Sequence, residues 1–415
     1  MKDDRCQNNC CEAGSCFSSL KMEAVYHPLH VEQATAAGDL YGGDEEMPSK
    51  QRRLLELLDN AESARACSLP EMASLVEMAI TGTITKEEAL LSLDAVSIGD
   101  VCKEAAKFQK KMNYRDFLTA PETLLGWSDE VRSLRVFIEE GKCSRQSSRG
   151  LKGSAGLMLL REEEWLEYGE GRDLYEAWLS QDAIGEVQKR DAIEGRLLHR
   201  WKLRWEGIFH SAEGQFVTAA MIHRTTEVEP GSIRLHRLRD IQLEALFRAM
   251  LSYETEPQQH NQTEPRIDLL IPYPANGESF QMMHDFIDRV AEETLCAQQR
   301  FVHYRVGVLL DENSKPEVAL EVARYADVIV MNLADERLLA LQQMIRPIRG
   351  IKPAIRICAA GTLGMSSLPA IYRMELSEVS CTSAEADSIR IAAAQWELLD
   401  QMQEAIDPTT SSVRL

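Results

Sequence analysis

The sequence predicts an α/β protein, a (β/α)8 TIM barrel with an N-terminal helical segment. Short apolar, β-branched runs alternate with longer helical patterns through most of the chain after residue 129. Continuous apolar runs are typical of strands that are buried on both faces, and the helical intervals are typical of right-handed crossovers. A doubly wound sheet is the alternative. However, Gly150, Gly153 and Gly156 have the wrong spacing for its glycine fingerprint.

Eight apolar runs are strand candidates, which is the number that a barrel needs. They are residues 134–138, 157–160, 216–222, 233–235, 267–271, 304–310, 328–331 and 355–358. The intervals between most of them are long enough for a helix. We therefore expect one barrel over residues 129–400, followed by a C-terminal tail over residues 401–415.

A helical segment is expected before the barrel, over residues 47–128. Met72, Leu75 and Val76 recur at helical spacing. Thr85 and Glu88 have the spacing of a capping box, in which the two side chains satisfy backbone N–H groups at the start of a helix. The pattern therefore predicts helices in this segment and no strands.

The composition excludes some classes of partner. The chain has 415 residues and a formal net charge of −20, which disfavours nucleic acid or an anionic membrane as a partner. It contains no apolar run of the roughly 18 residues that a membrane span needs. The N-terminus also lacks the apolar core of a signal peptide. We therefore expect a cytoplasmic protein whose 10 cysteines are mostly reduced.

Thiols and imidazoles are concentrated near the N-terminus. They belong to Cys6, Cys10, Cys11, Cys16, His27 and His30. Such groups can hold a zinc ion, but the Cys-x-x-Cys spacing of common zinc sites is missing. Residues 1–46 are also rich in Gly, Asn, Ser and acidic side chains. These features favour a disordered, cysteine-containing tail, with a zinc site as the alternative.

Polar side chains follow several of the predicted strands. They are Arg161, His223, Asp311, Asp335 and Cys358. Barrel enzymes carry their chemistry at the C-terminal ends of the strands. Carboxylates hold Mg²⁺, arginine binds phosphate or carboxylate, and a thiol can transfer a proton. Each residue also has a structural explanation: Asp335, for example, suits a helix cap, and Cys358 suits a buried apolar position. Only the set predicts a site for a divalent ion and an anion.

Two stretches resemble a known family. Residues 357–367 read Ile-Cys-Ala-Ala-Gly-Thr-Leu-Gly-Met-Ser-Ser, and residues 156–161 read Gly-Leu-Met-Leu-Leu-Arg. They resemble the phosphoenolpyruvate/pyruvate-binding barrel of the pyruvate phosphate dikinase family. The resemblance covers residues 50–396, with insertions and deletions, and is clearest near the C-terminus.

The resemblance implies roles for four residues. Arg161 matches the arginine that grips the substrate phosphoryl group. Asp311 ends a segment that resembles the sixth-strand motif of the family, where it is a shortened replacement for a metal-binding glutamate. Asp335 ends the segment that resembles the seventh-strand motif and matches the aspartate that binds metal and substrate. Cys358 lines up with the cysteine that protonates the pyruvate enolate. The implied ligands are Mg²⁺ and a small anion similar to phosphoenolpyruvate or pyruvate.

The sequence also departs from the family pattern. Ala220 stands where the family has a second phosphate-binding arginine, and Ala334 stands where it has an asparagine. Losing one charge-assisted contact is expected to cost about 1.5–3 kcal/mol of binding free energy. Residues 359–363 lack the carboxylate and the imidazole that follow the family's cysteine, so Cys358 has lost groups that tune a thiol.

Two modules of the family have no counterpart in the sequence. The glycine-rich nucleotide loop is absent, and none of the nine histidines lies in a Thr-Ser-His-like motif of a phosphohistidine carrier. A complete dikinase reaction is therefore not expected. We favour a divergent barrel that binds a phosphoenolpyruvate- or pyruvate-like anion as a sensor or regulatory pseudoenzyme, and a homodimer is compatible with this. The alternatives are an active phosphotransferase or lyase that works with a separate phosphohistidine carrier protein, and a structural or interaction protein.

Overall fold

A computed structural model describes most of the chain from residue 66 onward. The described residues are 66, 68–109, 119–139, 151, 153–180, 187–255, 266–296, 302–334 and 338–406. The cysteine-containing segment 1–46 and its predicted tail or zinc site lie outside these residues, and so does Asp335.

Eight parallel strands close into a barrel in chain order, and the last strand pairs with the first. The strands are β1 (Arg135–Glu139), β2 (Gly156–Arg161), β3 (Phe216–Ala220), β4 (Arg266–Pro272), β5 (Tyr304–Asp311), β6 (Val328–Ala334), β7 (Arg356–Thr362) and β8 (Glu378–Thr382). A closed, parallel, eight-stranded barrel with helices between its strands confirms the predicted fold class.

Helices precede the barrel and connect its strands. Those before the barrel are α1 (Leu69–Ile80), α2 (Lys86–Leu91), α3 (Ile98–Gln109) and α4 (Ala120–Val131). The later helices are α5 (Glu162–Tyr168), α6 (Arg172–Leu179), α7 (Val187–Ala212), α8 (Ile233–Thr255), α9 (Gly277–Leu295), α10 (Pro316–Ala323), α11 (Leu338–Ile351), α12 (Leu368–Arg373) and α13 (Ala386–Ile406). In the described part of the chain, no helix combines the length and the apolarity that a membrane crossing requires.

One of the eight predicted strands is wrong. Residues 233–235 are apolar and β-branched at their start, but they form the first turn of α8. Ser232 caps this helix, because its hydroxyl accepts a hydrogen bond from the Leu235 backbone N–H at 3.1 Å. A turn with Gly231 at φ +78° precedes the cap. The helix-start signal of residues 230–232, Pro-Gly-Ser, therefore decides the structure here, and the short run 233–235 does not form a strand.

The strand omitted from the eight candidates is β8. Its buried Glu378 and Ser380 alternate with Val379 and Cys381, so it lacks a continuous apolar run. The false strand and the omitted strand leave the count at eight, but they shift the numbering of the strands between them. The two segments compared with the sixth and seventh strands of the family form β5 and β6 here.

The helices before the barrel share a core with the last helix. Met72, Leu90 and Leu124 pack in one cluster with Ile391 and Leu398 of α13. The Gln395 amide donates hydrogen bonds to the Leu90 and Leu93 carbonyl oxygens at 2.8 and 2.9 Å. The predicted capping box of Thr85 and Glu88 is present. Residues 401–406, expected in the tail, continue α13.

Paired charges fill the N-terminal end of the barrel interior. Arg356 donates to both carboxylate oxygens of Glu378, at 2.7 and 2.8 Å, and to Asp268 at 2.8 Å. Arg305 donates to Asp268 at 2.8 Å, and Arg135 pairs with Glu378. Asp268 and Glu378 are fully buried, so these bonds compensate for charges that would otherwise be unstable there.

Apolar side chains fill the middle of the barrel. Phe137, Met158, Leu270, Leu309 and Val330 belong to one buried cluster. The interior is therefore packed, and chemistry that needs a ligand must take place at an end of the barrel.

Candidate functional site

Arg161 lies at the C-terminal end of β2, and an irregularity in the strand determines where it points. The register of β2 against β3 shifts between Leu157 and Leu160, and Leu159 has φ 59°. Met158 and Leu159 consequently both face the barrel interior, although they are neighbours. This bulge reverses the alternation of the strand, so that Leu160 faces the helices and Arg161 faces the barrel mouth.

Polar groups from three other segments surround Arg161. Its guanidinium donates a hydrogen bond to the Tyr273 hydroxyl and lies near the carboxyl groups of Glu139 and Glu163. Burial lowers the pKa of Arg161, but Tyr273 and the two carboxyl groups outweigh it, and the net pKa is raised. Arg161 therefore stays charged although it is half-buried.

Glu139 ends β1, the strand next to β2, and its carboxyl group interacts with the charge of Arg161. Its Oε2 accepts a hydrogen bond from the Gly361 backbone N–H at 3.2 Å and lies 3.5 Å from the Ser380 hydroxyl. Burial raises the pKa of Glu139, while the charge of Arg161 and the Gly361 N–H act against the rise. Gly361 has φ +117°, and a Cβ there would lie 2.2 Å from the Leu333 carbonyl oxygen. Glycine is therefore needed at this position.

Glu163 lies in the first turn of α5, two residues after Arg161. Its Oε2 is buried and has no hydrogen-bond partner among the described residues. Burial raises the pKa of Glu163 to about 7, and the charge of Arg161 limits the rise. A carboxyl group that titrates near neutrality at the end of a barrel is typical of a site for proton transfer.

His223 and Arg239 complete the same side of the barrel mouth. Arg239 extends from α8 and donates from Nε to the Ile222 carbonyl oxygen at 2.6 Å. The His223 ring packs edge-on against Tyr273, with 5.2 Å between ring centroids. Burial, together with the charges of Arg239 and Arg224, lowers the pKa of His223. The imidazole is therefore neutral at pH 7.

Asp311, the predicted metal ligand of β5, bonds to its own loop. Its Oδ1 accepts hydrogen bonds from the Asn313 backbone N–H at 3.0 Å and from the Ser314 hydroxyl at 2.9 Å. Its Oδ2 lies 3.4 Å from the Asn313 amide. The carboxylate therefore stabilises the turn that links β5 to α10.

The described residues do not form a magnesium site by themselves. Among them, no group of three His, Cys, Asp or Glu side chains could hold a metal ion. Asp335, the predicted ligand for both metal and substrate, lies outside the described residues. The Mg²⁺ assignment of Asp311 and Asp335 stays a prediction.

The expected position of Cys358 at the end of a strand is wrong. Cys358 is the third residue of β7, which continues to Thr362 because Ala359 and Ala360 extend the apolar run. Its side chain lies in the barrel cluster with Leu309 and Val330 and is fully buried. Burial raises the pKa of the thiol well above its ordinary range. A catalytic role would require the thiol to reach a ligand from this position, and its raised pKa disfavours the thiolate.

No protein-family model matches the chain, and no curated protein matches it either. The resemblance to pyruvate phosphate dikinase therefore rests on the quoted motifs, and the roles that it implies stay predictions.

The structure brings together only part of the predicted set. Arg161 lies at the barrel mouth with His223, whereas Cys358 lies deeper in the barrel. Four further residues of this end were not predicted from the sequence: Glu139, Glu163, Tyr273 and Arg239. Glu139 directly follows an apolar run, so the first carboxylate after a strand was a usable signal for it. Glu163 comes third after its apolar run, behind Arg161 and Glu162, so the same signal would have selected Glu162. Tyr273 also follows an apolar run, at residues 267–271, but a tyrosine after a strand is a weaker signal of a site than a carboxylate. Arg239 lies on a helix, where no comparable signal exists.

Proposed function

We propose that the C-terminal end of the barrel binds a small phosphate- or carboxylate-bearing molecule, similar to phosphoenolpyruvate or pyruvate. The observation that carries this proposal is the position of Arg161. A bulge turns its guanidinium into the barrel mouth, next to a buried carboxyl oxygen of Glu163 that has no partner among the described residues. A guanidinium is the side chain best suited to bind the paired oxygens of a carboxylate or phosphate.

The surroundings of Arg161 leave it able to bind an external anion. Its hydrogen-bond partner is a hydroxyl, that of Tyr273, and not a carboxylate. The pKa of Glu163, raised by burial to about 7, reduces the negative charge that opposes an incoming anion. Arg239 adds a second positive charge on the same side of the mouth. Together these groups favour a small anion over a cation.

We assign the protein a binding role, as a sensor or regulatory pseudoenzyme, ahead of phosphoryl transfer. The sequence has no carrier histidine motif and no nucleotide loop, so phosphate cannot travel between nucleotide and ligand within this chain. Phosphotransfer would need a separate phosphohistidine carrier protein.

Glu163 favours a second candidate function, which is proton transfer to or from the bound anion. A carboxyl group with a pKa of about 7 is partly protonated at neutral pH, so it can act as an acid or a base. The chemistry would be one step of a lyase reaction, in which a proton is removed from or added to the carbon next to the keto group of a pyruvate-like anion.

Thermal unfolding of the full chain tests the binding proposal. Phosphoenolpyruvate, pyruvate and oxalate would each be added, with and without Mg²⁺, at constant ionic strength. A ligand present at about 100 times its Kd raises the free energy of unfolding by about 2.7 kcal/mol. We expect at least one anion to raise the Tm of the wild type, and we expect Arg161→Met to abolish this rise.

Two further variants make the test specific. Arg161→Lys keeps the charge without the planar fork and should retain a weaker response. Arg349→Met removes an arginine of α11 that pairs with Glu375. This variant should respond to anions like the wild type. The proposal is wrong if no anion stabilises the wild type, or if Arg161→Met responds fully. If the response requires Mg²⁺ and is lost in Asp335→Asn, the metal prediction gains support.

Turnover tests the second candidate. Nuclear magnetic resonance in deuterated water would follow exchange of the methyl protons of pyruvate. Exchange that is catalysed by the wild type and lost in Glu163→Gln, while anion binding persists, would assign proton transfer to Glu163. No exchange above the buffer rate would leave the protein a binding protein.

A further inference from the structure

The N-terminal end of the barrel carries more positive than negative charge. The Phe216 ring lies at its centre, and four guanidinium carbons are 4.7 to 5.6 Å from the ring centroid. They belong to Arg135, Arg266, Arg305 and Arg356. Only two carboxylates of the described residues, Asp268 and Glu378, bond to this group. Four guanidinium charges face two carboxylates, so the described part of this end is positive.

The bonds within this cluster are unevenly distributed. Arg356 uses each of its three nitrogens on a carboxylate oxygen, and its side chain is only 14% exposed. Arg305 uses two nitrogens on Asp268, and Arg135 uses one on Glu378. Arg266 lies over Phe216 and makes no ion pair with any described residue. The unused N–H groups therefore belong mainly to Arg135, Arg266 and Arg305.

These three arginines can also be reached from solvent. The side chains of Arg135 and Arg305 are 39% and 37% exposed, and Arg266 is exposed. All three approach one ring, so their guanidinium groups surround a single small area. Like charges this close repel one another, and the interior below Phe216 is apolar and cannot screen them.

We propose that this end of the barrel is a second anion site, specific for a phosphate-bearing small molecule and separate from the site at Arg161. Three planar forks around one ring can each donate two hydrogen bonds, which matches the several oxygens of a phosphate group. The buried carboxylates hold Arg356 and Arg305 in place before the ligand arrives, which lowers the cost of ordering the site. The charge balance sets the ligand class, because a multiply charged anion offsets the excess of positive charge.

Phe216 has a defined part in this arrangement. Its ring face attracts the guanidinium groups and holds them side by side. A charged or polar residue in its place would form its own bonds with the arginines. The aromatic ring gathers the positive charges without neutralising them, so they remain available to an anion.

The test uses the full chain in the Arg161→Met background, which removes the proposed site at the other end. Inorganic phosphate and pyrophosphate are added at constant ionic strength, with chloride as the balancing anion. We expect pyrophosphate to raise Tm by about 2 °C or more, and phosphate by less. Adding Arg266→Gln should abolish the rise, because Arg266 brings to the ring N–H donors that no described carboxylate uses.

A matched control variant is Arg324→Gln, which removes an exposed arginine from the connection between α10 and β6. It makes the same change of charge near the same end of the barrel but leaves the ring intact, so the response to pyrophosphate should persist. The response of the wild type gives a second measurement that does not depend on the folding of Arg161→Met. It should also shrink on adding Arg266→Gln.

Two results would overturn the proposal. One is a response to pyrophosphate no larger than that to chloride of equal ionic strength. The other is a full response in Arg266→Gln. Each result leaves the proposal for Arg161 untouched, since that proposal rests on the other end of the barrel.

Discussion

The two ends of the barrel interior use the same kinds of side chain in different ways. At the N-terminal end, the buried carboxylates of Asp268 and Glu378 bond to arginines, and Glu378 bonds through both oxygens to Arg356. At the C-terminal end, Glu163 has a buried oxygen without a described partner, and burial raises its pKa to about 7. Asp268 and Glu378 are fully buried and Glu163 is half-buried, so the supply of partners, and not the depth of burial, makes the difference.

This contrast distinguishes buried charges that stabilise the fold from buried charges that are available for function. Buried charges that are fully paired hold a structure in place, and removing one partner is costly. Buried groups that lack partners lower the stability of the protein and are retained where a ligand or a proton uses them. We therefore expect substitutions that break the buried ion pairs of Asp268 and Glu378 to lower the free energy of unfolding, and substitutions at Glu163 to raise it.

The largest effect is expected for Arg356→Met. The variant leaves Glu378 and Asp268 buried with one partner fewer, which should lower the free energy of unfolding by about 3–5 kcal/mol. Urea denaturation at pH 7 measures the change. Arg349→Met is the control, because its ion pair with the exposed Glu375 should contribute only about 0–1 kcal/mol. Equal losses of unfolding free energy in the two variants would show that the buried ion pairs stabilise the protein no more than an exposed one.

The next effect has the opposite sign and depends on pH. The pKa of Glu163 is raised in the folded protein, so its contribution to stability is fully present below its ordinary pKa near 4.5 and is lost as the pH rises through about 7. Glu163→Gln removes this loss. The variant should therefore be more stable than the wild type by roughly 2 kcal/mol at pH 8, with little difference at pH 4.

Urea denaturation across this pH range tests the prediction for Glu163. The control is Glu167→Gln, on the same helix and without a buried unpaired oxygen. A wild type whose stability relative to Glu163→Gln is constant from pH 4 to pH 8 would show that Glu163 has an ordinary pKa.

The sequence was enough for the fold and for one member of the site. Apolar runs identified seven of the eight strands, because a strand buried on both faces must be apolar. They failed at β8, where Glu378 is buried only because Arg356 and Arg135 reach it from other strands. No local pattern contains that information.

The same limit applies to the site. Arg161 was predicted from its place after an apolar run, but the bulge at Leu159 that turns it into the mouth has no signature in the sequence. Cys358 was misplaced because the end of β7 was put at the end of the apolar run and not at Thr362. The raised pKa of Glu163 depends on burial by segments distant in the chain, which only the structure shows.

Cys358 lies between the two ends and offers a smaller test. Cys358→Ser places a hydroxyl in an apolar cluster and should lower the free energy of unfolding by about 1–3 kcal/mol. Anion binding at the C-terminal end should be unchanged, because the thiol lies below the mouth. Cys296→Ser, at an exposed position, is the control and should change neither property. Loss of anion binding in Cys358→Ser with unchanged stability would show instead that the thiol contacts the ligand.

The smallest effect is expected for Asp311→Ala, which asks whether a carboxylate at the C-terminal end can be purely structural. Its oxygens bond to Asn313 and Ser314, so the variant should lose about 1 kcal/mol of stability through the turn. Asn313→Ala, which removes only the longer bond of 3.4 Å, should lose less. Calorimetric titration of both variants with oxalate and Mg²⁺ provides the decisive comparison. If Asp311→Ala binds oxalate like the wild type, Asp311 has a structural role, like the paired charges at the N-terminal end. If it loses a Mg²⁺-dependent part of the binding that Asn313→Ala keeps, Asp311 is the metal ligand that the resemblance implies.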